Sequence, residues 1–274
     1  MKKEEIKSWW QGYPFTYFVK DEPGSWNFFR NIDRKVLKWM PWAQEGFPLL
    51  SNIIDYNVLR GKRVLDIGCG TGWTTAEFAL AGAEVHAIDL TEKAVELAKK
   101  RFKLYELTGD IKVGDAENLN FPDGHFDYVL AWGVLMHTPS TECTISEIHR
   151  VLKPGGRAAA MMYNKNSLHW GWYLWFGKGI LKLKLLTMSS QELANRYTDG
   201  AERGGNALTK FYTSRELRKM WSRFSDVKIK TFDHPDVLKV FPHRFLPLGA
   251  FLPLKIRRKL ANYWGLSAWI EVAK

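Results

Sequence analysis

VLDIGCGTGW, residues Val64 to Trp73, is an apolar run with an acid near its end that passes straight into three glycines at alternate positions, Gly68, Gly70 and Gly72. Glycines so placed let a strand turn abruptly into a helix, with backbone N–H groups and a helix N-terminus facing a ligand. A nucleotide-like cofactor is the expectation. The dinucleotide fingerprint G-x-G-x-x-G needs a third glycine at position 73, where this chain has Trp73. The pattern is G-x-G-x-G instead. Asp66, two residues before the first glycine, would repel a pyrophosphate and suits a cationic, phosphate-free ligand.

Outward from this stretch, short apolar runs alternate with helical patterns, which predicts βαβ units and a parallel sheet. Strands are expected at 63–68, 84–88, 111–114, 126–132 and 157–163, with helices at 72–81, 91–104 and 140–152. Leu90 to Arg101 is a well-signalled helix, with Thr91 as N-cap, acids early and bases late. Lys153-Pro154-Gly155-Gly156 is expected to end the next helix and turn into the strand after it. Further on, Thr213 to Phe224 reads as a helix, and Asp226 to Phe232 and Ser267 to Lys274 as strands. Asp89 ends the second strand, where its carboxylate either accepts from both ribose hydroxyls of a nucleoside or caps the helix that follows.

The apolar strand, the acid and G-x-G-x-G resemble the first motif of the class I S-adenosylmethionine-dependent methyltransferases. The L-K-P-G-G turn at 152–156 is similar to theirs too, and the broad group including quinone-biosynthesis and natural-product (type 11) enzymes is the nearest likeness. The resemblance is strong over residues 60–165 and loose over 213–274. It implies a Rossmann-like α/β fold, a doubly wound, mostly parallel seven-stranded sheet closed by an antiparallel C-terminal hairpin. The domain organisation it implies is an N-terminal aromatic lid (1–59), a cofactor core (60–165), a cap insertion (166–212) and a C-terminal helix and hairpin (213–274) with a basic insertion at 240–264.

By the same resemblance the cofactor is S-adenosylmethionine, with S-adenosylhomocysteine as product. Its site would comprise Asp66, Gly68, Cys69, Gly70 and Gly72 in the loop, and Asp89 and Leu90 on the ribose. Asp115 would accept from the adenine amine, with the Ala116 backbone and Glu117 beside the ring and Trp132 lining the methionine pocket. His137 follows the fourth strand, where family members often carry a histidine near the transferred methyl, and is either a general base or a wall residue. Tyr13 and Tyr17 are the lid's candidate contacts to the acceptor, against simple aromatic packing on the sheet.

The acceptor has to be read from the flanks. The net charge of +11 divides into +2 over residues 1–60, −3 over 61–160 and +12 over 161–274, so the core is ordinary and the C-terminal part strongly basic. The stretch YNKNSLHWGWYLWFGKGILKLKLL, with Phe245 to Tyr263, mixes tryptophans with spaced bases. Three readings compete, in descending order: a cap receiving an anionic small molecule, an interfacial element drawing a lipid or quinone-like acceptor from an anionic membrane, and an RNA surface. Ala131-Trp132-Gly133-Val134 stands where enzymes that methylate base amino groups carry [DNS]-P-P-[FYW], which argues against nucleic acid. O-methylation of a small organic acceptor is the specific expectation; the alternatives are an RNA or protein methyltransferase and a non-catalytic cofactor-binding protein. Two cysteines and unpatterned histidines give neither a disulfide framework nor a catalytic metal site. With no signal-peptide h-region and no long apolar run, a cytoplasmic location is expected, peripheral to a membrane on the second reading. The oligomeric state is left open.

Overall fold

The computed structural model describes residues 3–12, 19–39, 48, 50–201, 204–233 and 248–274. Seven strands form one sheet: β1 (Arg63–Ile67), β2 (Glu84–Asp89), β3 (Asp110–Val113), β4 (Phe126–Trp132), β5 (Leu152–Tyr163), β6 (Ser225–Phe232) and β7 (Ser267–Ala273). Their order is β3-β2-β1-β4-β5-β7-β6, with β7 antiparallel to both of its neighbours and the first five strands parallel. The chain therefore starts in mid-sheet and works to one edge before crossing to the other. β1 and β4 diverge at this crossover, and the crevice beyond their C-terminal ends is where such sheets bind ligands.

Alternation along the strands buries both sheet faces. Val64, Val85, Leu130 and Ala159 pack with Phe78 and Ala98 on one side, and Leu65, Ile67, Val129 and Ala160 with Ile145, Ile148 and Trp221 on the other. The helices supplying these partners are α3 (Trp73–Leu80) and α4 (Glu92–Leu104) on the first face, and α5 (Thr141–Val151) on the second, with Trp221 capping the end of α7 (Ser214–Met220). Thr91 caps α4, its hydroxyl accepting from Ala94 N, a contact worth about 1 kcal/mol.

Before the sheet lie α1 (Lys3–Gly12) and α2 (Trp26–Trp39). Arg101 fastens α2 in place: buried in α4, it donates to both carboxylate oxygens of Asp33 at 2.7 and 2.8 Å and to Thr71 O of the glycine loop at 2.9 Å. Its guanidinium also lies 4.5 Å from the centre of the Phe29 ring. Between β5 and β6 come a π-helix at His169–Leu181, α6 (Ser190–Tyr197) and α7; α8 (Leu254–Tyr263) precedes β7.

Two expectations change. Lys153 to Gly156 do not separate helix from strand: Leu152 already pairs with Phe126, and the ladder resumes at Arg157 opposite Tyr128. The four residues bulge out because Gly155 N donates to Lys274 O and Lys274 N to Gly156 O, extending the β7 pairing around them. The helix at Thr213 stops at Met220 rather than Phe224, although Thr213 and Glu216 close a full capping box at its start. Among the described residues, no helix is long and apolar enough to cross a membrane.

Candidate functional site

The glycine loop joins β1 to α3, and Gly68 (φ 71°), Gly70 (54°) and Gly72 (76°) are all left-handed, a conformation that favours glycine over residues bearing a Cβ. Its amides, however, are not bare. Gly68 N and Cys69 N both donate to Ile88 O at 2.7 and 3.0 Å, Gly70 N to Asp89 Oδ2 at 3.0 Å, and Gly72 N to Cys69 O at 2.8 Å. The loop is tied to β2, so these four N–H groups are not the phosphate cradle that glycine loops usually provide. Polar chemistry at this end of the sheet passes to carboxylates.

A cleft opens at this end of the sheet. Its walls include Gly68 and Gly70 of the loop, Asp89 and Leu90 at the end of β2, Asp115, Ala116 and Glu117 after β3, Trp132 at the end of β4 and His137 beyond it. Asp66, Cys69 and Gly72 stand behind these walls. Asp66 is buried, and its Oδ2 accepts from the hydroxyls of Thr74 and Thr75 at 2.7 and 2.6 Å, so its carboxylate anchors the start of α3. Burial pushes its pKa up to about 6, against the hydrogen bonds from the two threonines. Tyr13 and Tyr17 lie outside the described residues.

Asp89 both lines the cleft and caps. Oδ1 accepts from Thr91 N and Thr91 Oγ1 at 2.9 and 2.8 Å, and Oδ2 from Gly70 N. A carboxylate offers about four acceptor sites. With the backbone of Leu90 also acting on the carboxylate, little of that capacity is left for a bidentate ribose contact.

The N-terminal helix closes the cleft from above, a contribution the sequence signals in Ile6, Trp9 and Trp10 at helical spacing. Lys3, Ile6 and Trp10 line it, and Lys3 Nζ bridges Asp115 Oδ2 and Glu117 Oε2 at 2.6 and 2.7 Å. Trp9 Nε1 donates to Gly205 O at 2.7 Å, and Lys7 pairs with Glu92 at 2.6 Å. Three acids against one lysine on these walls make the cleft a place for a ligand rich in donors or carrying positive charge.

His137 is buried at the far end, its ring edge-on to Trp10 and 6.0 Å from Tyr163. Nδ1 lies 2.6 Å from Leu208 O, an atom that can only accept; this contact, the shorter of the two at Nδ1, favours the hydrogen on Nδ1 and the lone pair on Nε2. The amide nitrogen of Asn206 stands 3.2 Å from the same Nδ1. Nε2 faces Asp199 Oδ2 at 3.6 Å, a buried oxygen with no hydrogen-bond partner among the described residues, while Asp199 Oδ1 accepts from Tyr163 OH at 2.9 Å. Burial lowers the His137 pKa, opposed by the Asp199 charge. Asp199 carries no signal in the sequence. It reaches His137 only because residues 204–212 run beside the ends of β4 and β5, Lys210 N donating to Met136 O and Tyr212 N to Tyr163 O.

The methyltransferase-domain family matches residues 65–160, which contain the loop and all three of the cleft's acids. The demethylmenaquinone methyltransferase of Geobacillus kaustophilus is 32% identical over 188 residues, 64% of this chain and 76% of that protein. The chain belongs to the class I S-adenosylmethionine-dependent methyltransferases. This methyltransferase is also 38% identical over 123 residues to the ubiquinone biosynthesis O-methyltransferase of Aromatoleum aromaticum, a match spanning 43% of the chain and about half, 52%, of that relative. In fold it is similar to a SAM-dependent methyltransferase from Methanosarcina mazei, with a TM-score of 0.56 and 20% identity over 84% of this chain and 99% of that one. The cofactor of the enzyme is S-adenosylmethionine, and the donor set fits it: carboxylates for hydroxyl, amine and sulfonium groups, and loop amides already satisfied where a phosphate would need them. Among the described residues there is no cluster suited to a metal ion.

Proposed function

We propose that this methyltransferase methylates an oxygen of a small, lipophilic, quinone-like acceptor. The observation that carries the reading is the His137–Asp199 pair at one end of the cleft. A hydroxyl acceptor must lose a proton as the methyl arrives, and a positioned base contributes about 10²- to 10⁴-fold. When bound, S-adenosylmethionine supplies a sulfonium methyl for in-line displacement.

On this reading Asp89 would hold the ribose. Asp115 turns from Lys3 to the adenine amine, with Ala116 and Glu117 beside the ring, while Gly68 and Gly70 let the backbone approach closely. Trp132 walls the methionine pocket. Nδ1 of His137 stays fixed on Leu208 O, Nε2 takes the acceptor proton, and Asp199 Oδ2 stabilises the imidazolium that forms. Helix α1 and its Trp10 exclude water, strengthening the charge interactions within. The names of the relatives, which speak of demethylmenaquinone and of ubiquinone biosynthesis, support a lipophilic acceptor.

The test is turnover on a panel of hydroxylated quinols and phenols. His137→Ala is expected to lower kcat about 10²- to 10⁴-fold with unchanged affinity for S-adenosylhomocysteine. Because burial holds the imidazole pKa low, the wild-type rate should persist below pH 6.5, the ordinary value. Asp199→Asn removes the charge that raises this pKa, so the acid limb should move to still lower pH. Full turnover by His137→Ala, or methylation of carbon or nitrogen in preference to oxygen, overturns the reading.

A further inference from the structure

The π-helix His169–Leu181, with the residues just after it, sets apolar side chains in solvent where a folded core would bury them. Leu174 and Gly179 are its buried residues, while Tyr173, Trp175, Ile180 and Leu181 are exposed. Just beyond, Leu183 is 63% and Leu186 79% exposed. Leu183 also holds a left-handed φ of 53°, unfavourable by about 1–2 kcal/mol for a residue with a Cβ. A helix this apolar is normally buried on all sides.

The start of the π-helix and the end of α8 are tied together by their flanking residues, Leu168 N donating to Trp264 O at 3.1 Å. Ala261 is its buried residue. Phe251, just before α8, is 84% exposed and Tyr263 at its end 73%, with Leu254 and Ile256 exposed between them. Lys255, Arg258 and Lys259 are also exposed, as is Lys182 on the neighbouring segment. The sequence has no Asp or Glu from 164 to 191 or from 237 to 270. Exposed aliphatic and aromatic side chains, interleaved with lysine and arginine and free of acids within the same segments, are complementary to an anionic lipid surface: the rings and aliphatics enter the headgroup boundary and the cations meet lipid phosphates.

We infer that the π-helix with residues 181–186, together with helix α8, forms a docking face for an anionic bilayer. Nucleic acid fits less well, because the leucines and isoleucines set among the exposed rings offer no stacking platform for bases. A second copy would set two cationic faces against each other. The inference goes beyond the acceptor reading and does not depend on it, since its readout is lipid partition rather than turnover.

The experiment is flotation of the full chain with phosphatidylcholine vesicles and with vesicles also containing phosphatidylglycerol, at low and high salt. Binding is expected only with the anionic lipid, and weaker in salt. The charge-reduced variant K255Q/R258Q/K259Q should partition on the order of 100-fold less, at about fivefold for each cation near the surface. Leu183→Asn with Leu186→Ser should also weaken binding while keeping the fold, Asn tolerating the left-handed φ. Wild-type affinity for S-adenosylhomocysteine in each variant certifies folding. Equal binding to neutral vesicles, no binding to either, or unchanged partition of the variants overturns the inference. So does loss of self-association or RNA binding, rather than lipid binding, in the same variants.

Discussion

Gly68 is the position where loop geometry can be tested most sharply. Its φ of 71° would strain alanine by about 1–2 kcal/mol, and a Cβ built there would lie 2.2 Å from Val134 Cγ2. Relief of that overlap by shifting the β4 end costs about 1–3 kcal/mol, so Gly68→Ala should destabilise by roughly 2–5 kcal/mol in all. The two parts separate in a double-mutant cycle. Val134 Cβ lies 3.4 Å from the added atom, an ordinary contact, so Val134→Ala clears the overlap and leaves the φ strain. Urea unfolding of the four proteins should give a favourable coupling of about 1–3 kcal/mol. Both residues line the cleft, so calorimetric affinity for S-adenosylhomocysteine should fall in Gly68→Ala and recover in part in the double variant. Additivity within about 0.5 kcal/mol would refute the close approach of loop and β4.

Two further outcomes follow from the carboxylates. Asp66 has a pKa of about 6 when folded against an ordinary 3.8, so the folded state binds more protons between these values and its stability falls as pH rises through them. Relative to wild type, Asp66→Asn should therefore gain about 3 kcal/mol from pH 4 to pH 7, read from denaturation midpoints across pH; a flat difference contradicts the buried assignment. Asp89→Ala removes the acceptor for Gly70 N, Thr91 N and Thr91 Oγ1 at the cleft wall. Calorimetry should show S-adenosylhomocysteine binding weakened by more than about 100-fold, the loss expected when a charged hydrogen-bonding partner goes and buried donors are left unmet; near wild-type affinity would remove Asp89 from the cofactor site.

What the sequence determined by itself is local and periodic. The apolar strands, the glycine spacing at 68, 70 and 72, and the Thr91 cap depend on neighbours in the chain, and the alternation of periods two and 3.6 is sufficient to give a parallel α/β sheet. Because these segments end on the same side of that sheet, Asp89, Asp115, Trp132 and His137 gather around one cleft. Tertiary structure decided which polar groups are left for a ligand. Gly68, Cys69 and Gly70 turn their amides to β2, and Asp66 to the threonines of α3, because strands adjacent in the sheet are distant in sequence. Arg101 reads as a surface residue closing α4, yet it is the buried link between α2 and the glycine loop. Asp199, 62 residues after His137, becomes its partner only when the chain following α6 folds back along the sheet. Hydrogen bonds and ion pairs formed across such separations follow the path of the backbone, which no local pattern of residues records.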